Sequence, residues 1–248
     1  MRLLRPLVLL ILAACGPPSY DGRTAHEWMD ELEEGSEAEL ARLEEVEAVP
    51  ILMEIVRSKR VKAQLMAIQV LAQLGPDAKE AVPALIEALD AEEPAVRAFA
   101  ALALGRIGKP AAAAVVRLEQ ALRDPHARVR VASALAAWGI TGDLETARAV
   151  LWQAMTSNDP RVRTMAAEAF GELGEAGIDL MTLALADRDE QVRAAAAETL
   201  GRIGAGSRVA RIALEEATKD QSPLVVAAAR QGLAALGAGP ERAPPEGR

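Results

Sequence analysis

Along the middle of the chain the apolar positions recur in a fixed order, most plainly around a Val-Arg pair. The pair stands at Val96-Arg97, Val129-Arg130, Val162-Arg163 and Val192-Arg193, with looser copies at Ala63-Gln64 and Val225-Val226. Successive anchors are 33, 33, 33, 30 and 33 residues apart. Four residues after each anchor come Ala67, Ala100, Ser133, Ala166, Ala196 and Ala229, and eleven after it Leu74, Ile107, Ile140, Leu173, Ile203 and Leu236. A glycine then ends the unit, as Gly75, Gly108, Gly174, Gly204 and Gly237, with Thr141 the exception. Positions 0, +4, +8 and +11 share one face of a helix, and glycine just past the last apolar residue supplies a left-handed terminus. Each anchor therefore predicts a helix of about three to four turns. Upstream of it lies a second apolar segment, as in Val82-Pro83-Ala84-Leu85-Ile86-Glu87-Ala88-Leu89, and Pro50 and Pro83 stand where a first-turn proline is tolerated. Turn residues separate the two, as in Asp124-Pro125 and Asn158-Asp159-Pro160, so the unit is helix, tight turn, helix.

This order of apolar helix, Asp, Val-Arg, Ala, Leu-Gly and Ile-Gly resembles HEAT-like repeats, particularly the short bacterial form of phycobilisome lyase subunits, over six units spanning residues 49–237. The resemblance implies an all-α fold, a right-handed α-solenoid of about six HEAT-like helix pairs plus an N-terminal capping helix pair. Such units cannot bury their faces alone, and stacking builds one continuous core with a concave and a convex surface. Ahead of the array, Thr24-Ala25-His26-Glu27 and Ser36-Glu37-Ala38-Glu39 both have the form of capping boxes and mark residues 24–48 as a terminal cap. Between residues 24 and 47 ten acids stand against Arg42 alone. That charge is either a solvated cap that resists end-to-end stacking or a docking site for a basic partner.

The N-terminus is an address. Arg2 and Arg5 precede an apolar stretch from Leu7 to Ala14, too short to span a bilayer, and residues 1–14 have the order of a signal peptide. Leu12-Ala13-Ala14-Cys15 resembles the lipobox of bacterial lipoproteins, which implies cleavage before Cys15 and acylation of its thiol. Cys15 is the chain's only cysteine, so no internal disulfide competes for it. Several acyl chains at ~0.8 kcal/mol per buried CH₂ hold a protein stably on a membrane. Residues 15–23 are then a lipidated tether, and the resemblance to enterobacterial lipoproteins, in which Asp after the cysteine marks the inner membrane, implies from Gly16 the periplasmic face of the outer membrane. At the other end, residues 238–248 are rich in Pro, Gly and charge and read as a disordered tail.

Composition narrows the function classes. Only 2% of residues are aromatic while 53 are alanine, so the core must consist of small and branched side chains packed closely, which favours helices. A net charge of −8 argues against nucleic acid as a partner. HEAT-like DNA glycosylases need a basic groove that this balance does not supply. Two histidines, His26 and His126, and no spare cysteine are too few ligands for a metal site. Deoxyhypusine hydroxylase, another HEAT-like enzyme, holds iron with several His-Glu pairs; here His26-Glu27 stands by itself. There is no G-x-S-x-G, Walker loop or G-x-G-x-x-G, and Gly105-Arg-Ile-Gly108 and Gly201-Arg-Ile-Gly204 end helices rather than follow strands. The expectation is a non-enzyme with no cofactor.

What remains is surface. Arg97, Arg130, Arg163 and Arg193, beside Asp124, Asp159 and Asp187 in the turns, predict a structural Asp–Arg ladder between neighbouring repeats. In arrays of the kind it resembles, the second helix lines the concave face, and its outward positions are expected at +2, +6 and +9. These are Ala98, Leu102 and Gly105, then Val131, Leu135 and Trp138, then Thr164, Glu168 and Gly171, then Ala194, Glu198 and Gly201. Leu102, Val131, Leu135 and Trp138 become the candidate partner-binding residues. Trp138, where other copies keep Gly or Ala, is either a contact residue or a plug in the core; Trp152, on the next helix, is expected in the core. The reading is an envelope lipoprotein that binds another protein through the concave face. The alternatives are a structural or assembly factor without a groove ligand and an accessory subunit of a bilin-lyase-like enzyme.

Overall fold

The computed structural model describes residues 19–34, 43 and 46–237. Cys15 and the signal segment, the Ser36–Glu39 box and the tail lie outside the described residues. The chain forms two compact units that part between Asp143 and Leu144.

The first unit opens on a β-hairpin, β1 (Ser19–Tyr20) paired antiparallel with β2 (Arg23–Thr24), with Ser19 opposite Thr24 and Tyr20 opposite Arg23. Its turn is Asp21-Gly22, with φ of +50° and +75°, the pair of left-handed residues that a two-residue hairpin loop requires. The hairpin takes up residues 19–24, at the end of the segment expected to be a tether. It is held by the fully buried Trp28, whose indole N–H donates to the Tyr20 carbonyl at 3.0 Å, while the Arg23 guanidinium lies 4.9 Å above the ring.

Trp28 belongs to α1 (Ala25–Glu34). Half of the expected capping box forms at its start: the Thr24 N–H donates to Glu27 Oε2 at 2.8 Å, and the Thr24 hydroxyl donates to the same oxygen at 2.9 Å instead of accepting from the helix. Acids of this cap are tied to neighbouring cations. Arg60 pairs with Asp30 and Glu33, Arg23 with Glu31, and Lys62 donates to the Glu33 carbonyl.

Three helix pairs follow in the first unit: α2 (Val49–Val56) with α3 (Val61–Leu74), α4 (Val82–Ala88) with α5 (Pro94–Ile107), and α6 (Val115–Ala121) with α7 (Ala127–Thr141). The second unit holds α8 (Leu144–Met155) with α9 (Pro160–Phe170), α10 (Ile178–Ala184) with α11 (Glu190–Ile203), and α12 (Arg208–Ala217) with α13 (Pro223–Gly237). Each second helix starts two residues before its anchor, and Pro94, Pro160 and Pro223 occupy the first helical position, where the missing N–H costs nothing. The anchor face packs inward as the periodicity requires. Val96, Ala100, Leu104 and Ile107 are at most 1% exposed, and Val192, Ala196 and Leu200 are fully buried.

Short 3-10 turns, Gly75–Ala81, Lys109–Ala114 and Gly171–Gly177, link several of the pairs. The repeat-ending glycines only partly match the expected left-handed terminus. Gly75 and Gly108 have φ of +56° and +72° but ψ of −128° and −140°, a region open only to residues without a Cβ. It is Gly142, one residue past the exceptional Thr141, that takes the true left-handed conformation.

Candidate functional site

The outward face of the second helices is narrower than a single-helix periodicity predicts, and it lies at positions −1, +6 and +10. At +2, Ala98, Val131 and Ala194 are at most 4% exposed, which corrects the placement of Val131 on the surface. At +9, Gly201 is buried and Gly105 and Gly171 are half-buried. The reason is that a second helix inside a stack is covered by its own first helix and by second helices beside it. Backbones come close there: a Cβ on Gly105 would lie 2.9 Å from Ala136 Cα, and one on Gly201 would lie 2.4 Å from Gly232 Cα. Small residues at +9 are therefore packing residues. Trp138 occupies that column and is half-buried.

Of the candidate contact residues, Leu102 is 40% exposed and Leu135 half-buried. Trp152, expected in the core, is instead 43% exposed on α8. In the first unit the −1, +3, +6 and +10 rows read Lys62, Met66, Gln69 and Gln73 on α3, Ala95, Phe99, Leu102 and Arg106 on α5, and Arg128, Ala132, Leu135 and Gly139 on α7. In the second unit the exposed members include Arg161 and Glu168 on α9, Glu172 in the 3-10 turn after it, and Gln191, Glu198 and Arg202 on α11. The +6 row passes from Leu102 and Leu135 to Glu168 and Glu198, with Thr164 half-buried and Ala194 buried at +2.

The arginines after the anchors face the turns, not the open rows. Arg97 makes a two-pronged contact with Asp124 (Nε–Oδ2 2.8 Å, Nη2–Oδ1 3.1 Å), and its third nitrogen donates to the Ala91 and Glu92 carbonyls. Arg163 does the same with Asp187 and the Ser157 carbonyl, and Arg193 with Asp220 and the Asp187 carbonyl. Each carboxylate also accepts from the N–H two residues ahead, at His126, Asp189 and Ser222. One Asp thus shapes its own turn and grips the arginine of the preceding repeat. Burial by itself would raise the Asp124 and Asp187 carboxyls, but the arginine and backbone hydrogen bonds outweigh it and hold both below the ordinary value. The Asp220 carboxyl is lowered chiefly by Arg193.

Two members of the expected ladder depart from it. Asp159 caps α9 by accepting from the Arg161 N–H at 2.9 Å and holds no arginine, because it stands three residues before its anchor rather than five. Arg130 donates to the Asp124 and Pro125 carbonyls of its own turn. The residue missed was Asp220, and its signal was available: Asp124, Asp187 and Asp220 all lie five residues ahead of an anchor, a place that Ser157 fills in the fourth repeat.

His26 lies beside Asp30, and His126 lies beside Asp124 and Arg97. Among the described residues no group of three or more His, Cys, Asp or Glu side chains could hold a metal, and no helix is long and apolar enough to cross a membrane. An open depression of about 460 Å³ on the first-helix side is lined by Pro50, Met53, Glu54, Arg57 and Glu80. Its arginine is engaged with Glu87 at 3.0 Å.

The stacked pairs, the anchor face and the turn ladder agree with the sequence family described as HEAT repeats, which matches residues 49–137, 115–179 and 147–234. The chain is a HEAT-repeat protein. Its HEAT array is similar in structure to an engineered protein at 20% identity and a TM-score of 0.51, over 87% of this chain and 64% of that one. It is also similar to the complex of CpcE and CpcF of phycocyanin lyase from Nostoc sp. (21% identity, 88% of this chain and 97% of that one, TM-score 0.48). A third similar structure is the archaeal HEAT-like repeats protein from Thermococcus onnurineus (15% identity, 90% and 98%, TM-score 0.46). At these identities the likeness is one of fold alone. No curated protein matches the sequence.

Proposed function

We propose that this HEAT array is a lipid-anchored scaffold of the bacterial envelope, facing the periplasm from the outer membrane, that holds a partner protein on the exposed rows of its second helices and performs no chemistry itself. The observation that carries the reading is the use of arginine and aspartate. The largely buried arginine–aspartate pairs close the turns, and the +6 positions left open carry Leu102, 40% exposed, and the half-buried Leu135 at the equivalent place on the next second helix. An isolated apolar group on a surface is ordinary, whereas two at equivalent positions of neighbouring helices point to a contact surface. The anchoring half rests on Leu12-Ala13-Ala14-Cys15.

Each half has its own test. Cys15→Ser should move the protein out of the membrane fraction or leave it unprocessed; wild-type protein found free of membranes would sink the anchor. A photo-crosslinking residue placed at Leu102, Leu135, Glu168 or Glu198 should trap a partner in cells, while one at the outer position Val116, 63% exposed, should not. Trapping at Val116 alone would sink the second-helix reading.

A further inference from the structure

The open rows of the first unit hold no carboxylate. Across α3, α5 and α7 the −1 row carries Lys62 and Arg128 and the +10 row carries Arg106; between them lie Gln69, Leu102 and Leu135 at +6, with the half-buried Met66 and Phe99 and the buried Ala132 at +3 beneath. Residues 49–143 hold ten Asp and Glu beside twelve Lys and Arg, yet this strip carries three cations and no acid. These cations are not used up by the fold. Arg106 and Arg128 are exposed and have no ion-pair partner among the described residues, and Lys62 gives one hydrogen to the Glu33 carbonyl. Glu92 and Glu93 in the turn ahead of α5 and Glu33 on α1 beside Lys62 all lie outside these rows. Because the three helices share one repeat register, equivalent positions line up across them, and an apolar band is flanked on both sides by positive charge.

We propose that this strip takes an acidic amphipathic helix of the partner, its apolar face on Phe99, Leu102 and Leu135 and its carboxylates directed to Arg106 on one side and to Arg128 and Lys62 on the other. The proposal rests on the scaffold reading above and adds the partner's chemistry. Three helices at spacings of roughly 10 Å span about 20–30 Å, the length of a helix of about 18 residues at 1.5 Å each. A helix with an apolar face laid on such a band follows a known mode of recognition, in which flanking charge sets partner choice. A basic partner would meet three like charges.

The test uses the full chain in detergent and three synthetic peptides of about 18 residues. One is an amphipathic helix with Leu and Phe on one face and Glu on the other, the second has Lys for every Glu, and the third is the acidic composition scrambled. The acidic amphipath should bind at least tenfold tighter than either of the others. Arg106→Glu and Leu102→Asp should each weaken it tenfold or more without shifting the melting curve, since both side chains are exposed, and Glu119→Lys, exposed on the first helix α6, should change nothing. Equal binding of the Lys peptide, no binding of the acidic one, or indifference to both substitutions overturns the proposal. So does binding of phosphatidylglycerol vesicles in place of the peptide, or a dimer of this chain that Leu102→Asp dissolves. The crosslinking experiment separates the two levels: a partner trapped at Leu102 through a segment that is not acidic sinks this inference and leaves the scaffold standing, whereas trapping at no second-helix position sinks both.

Discussion

Asp187 shows how much one residue can do in a repeat. Its carboxylate accepts from Arg163 twice and from the Asp189 N–H, and the pair is 14% and 5% exposed. Removing one partner strands a largely buried charge, so Arg163→Ala should cost about 3 kcal/mol at neutral pH, read by denaturant unfolding. The pH dependence follows from the sign of the shift. A carboxyl held below its ordinary value of 3.8 contributes stability that is fully present above that value and is lost as pH falls through the lowered one. The gap between wild type and Arg163→Ala should therefore narrow on going from neutral pH to about pH 3, and a gap that stays constant would mean the pair is not the cause. Ser133 makes the opposite prediction. It stands where the other five copies have Ala, and its buried hydroxyl has no hydrogen-bond partner. Ser133→Ala should raise stability by about 1 kcal/mol, since it removes an unsatisfied group and keeps the shape. A loss of stability on that change would point to a bond made by the hydroxyl in solution.

At the scale of the element, the sequence was legible wherever one face of one helix decides the outcome. Helix starts, the anchor face and the turn at Asp124 all follow from local periodicity and turn chemistry. What periodicity did not disclose was how much of each second helix is covered. Positions +2 and +9 point away from the first helix but into neighbouring second helices, and in an alanine-rich helix the contrast between covered and open faces is weak. The hairpin escaped for a different reason, since two-residue strands carry no periodicity and only Asp21-Gly22 marks them. Glycine tests the packing account directly. Gly201→Ala puts a methyl 2.4 Å from Gly232 Cα, and forcing the helices apart should cost about 2–3 kcal/mol, more than the ~1 kcal/mol that alanine gains in helix propensity. Gly139→Ala, on an exposed site where the new Cβ would sit 3.4 Å from the Gly105 carbonyl, should keep most of that gain. Thermal melts of the two variants must shift in opposite directions, and a shared direction would discard close helix contact as the reason for glycine at +9.

At the scale of the whole molecule, a repeat array should tolerate loss of a complete unit, because each pair contacts only its neighbours. Deleting residues 96–128, one 33-residue period, joins Ala95 to Val129 and sets α7 directly beside α3. The register survives: Ala136 of α7 replaces Ala103 of α5 at +7, and Arg130 replaces Arg97 beside the Ala91 and Glu92 carbonyls. The close contact survives as well: Gly105 at +9 of α5 packs against Ala136 at +7 of α7, and by the same register Ala72 at +9 of α3, which faces Ala103 in the full chain, would face Ala136 in the shortened one, alanine for alanine. The shortened protein should therefore stay helical and melt cooperatively, at a temperature lowered only by the loss of one unit. Loss of a cooperative transition would mean that the first unit folds as a closed domain rather than as a stack.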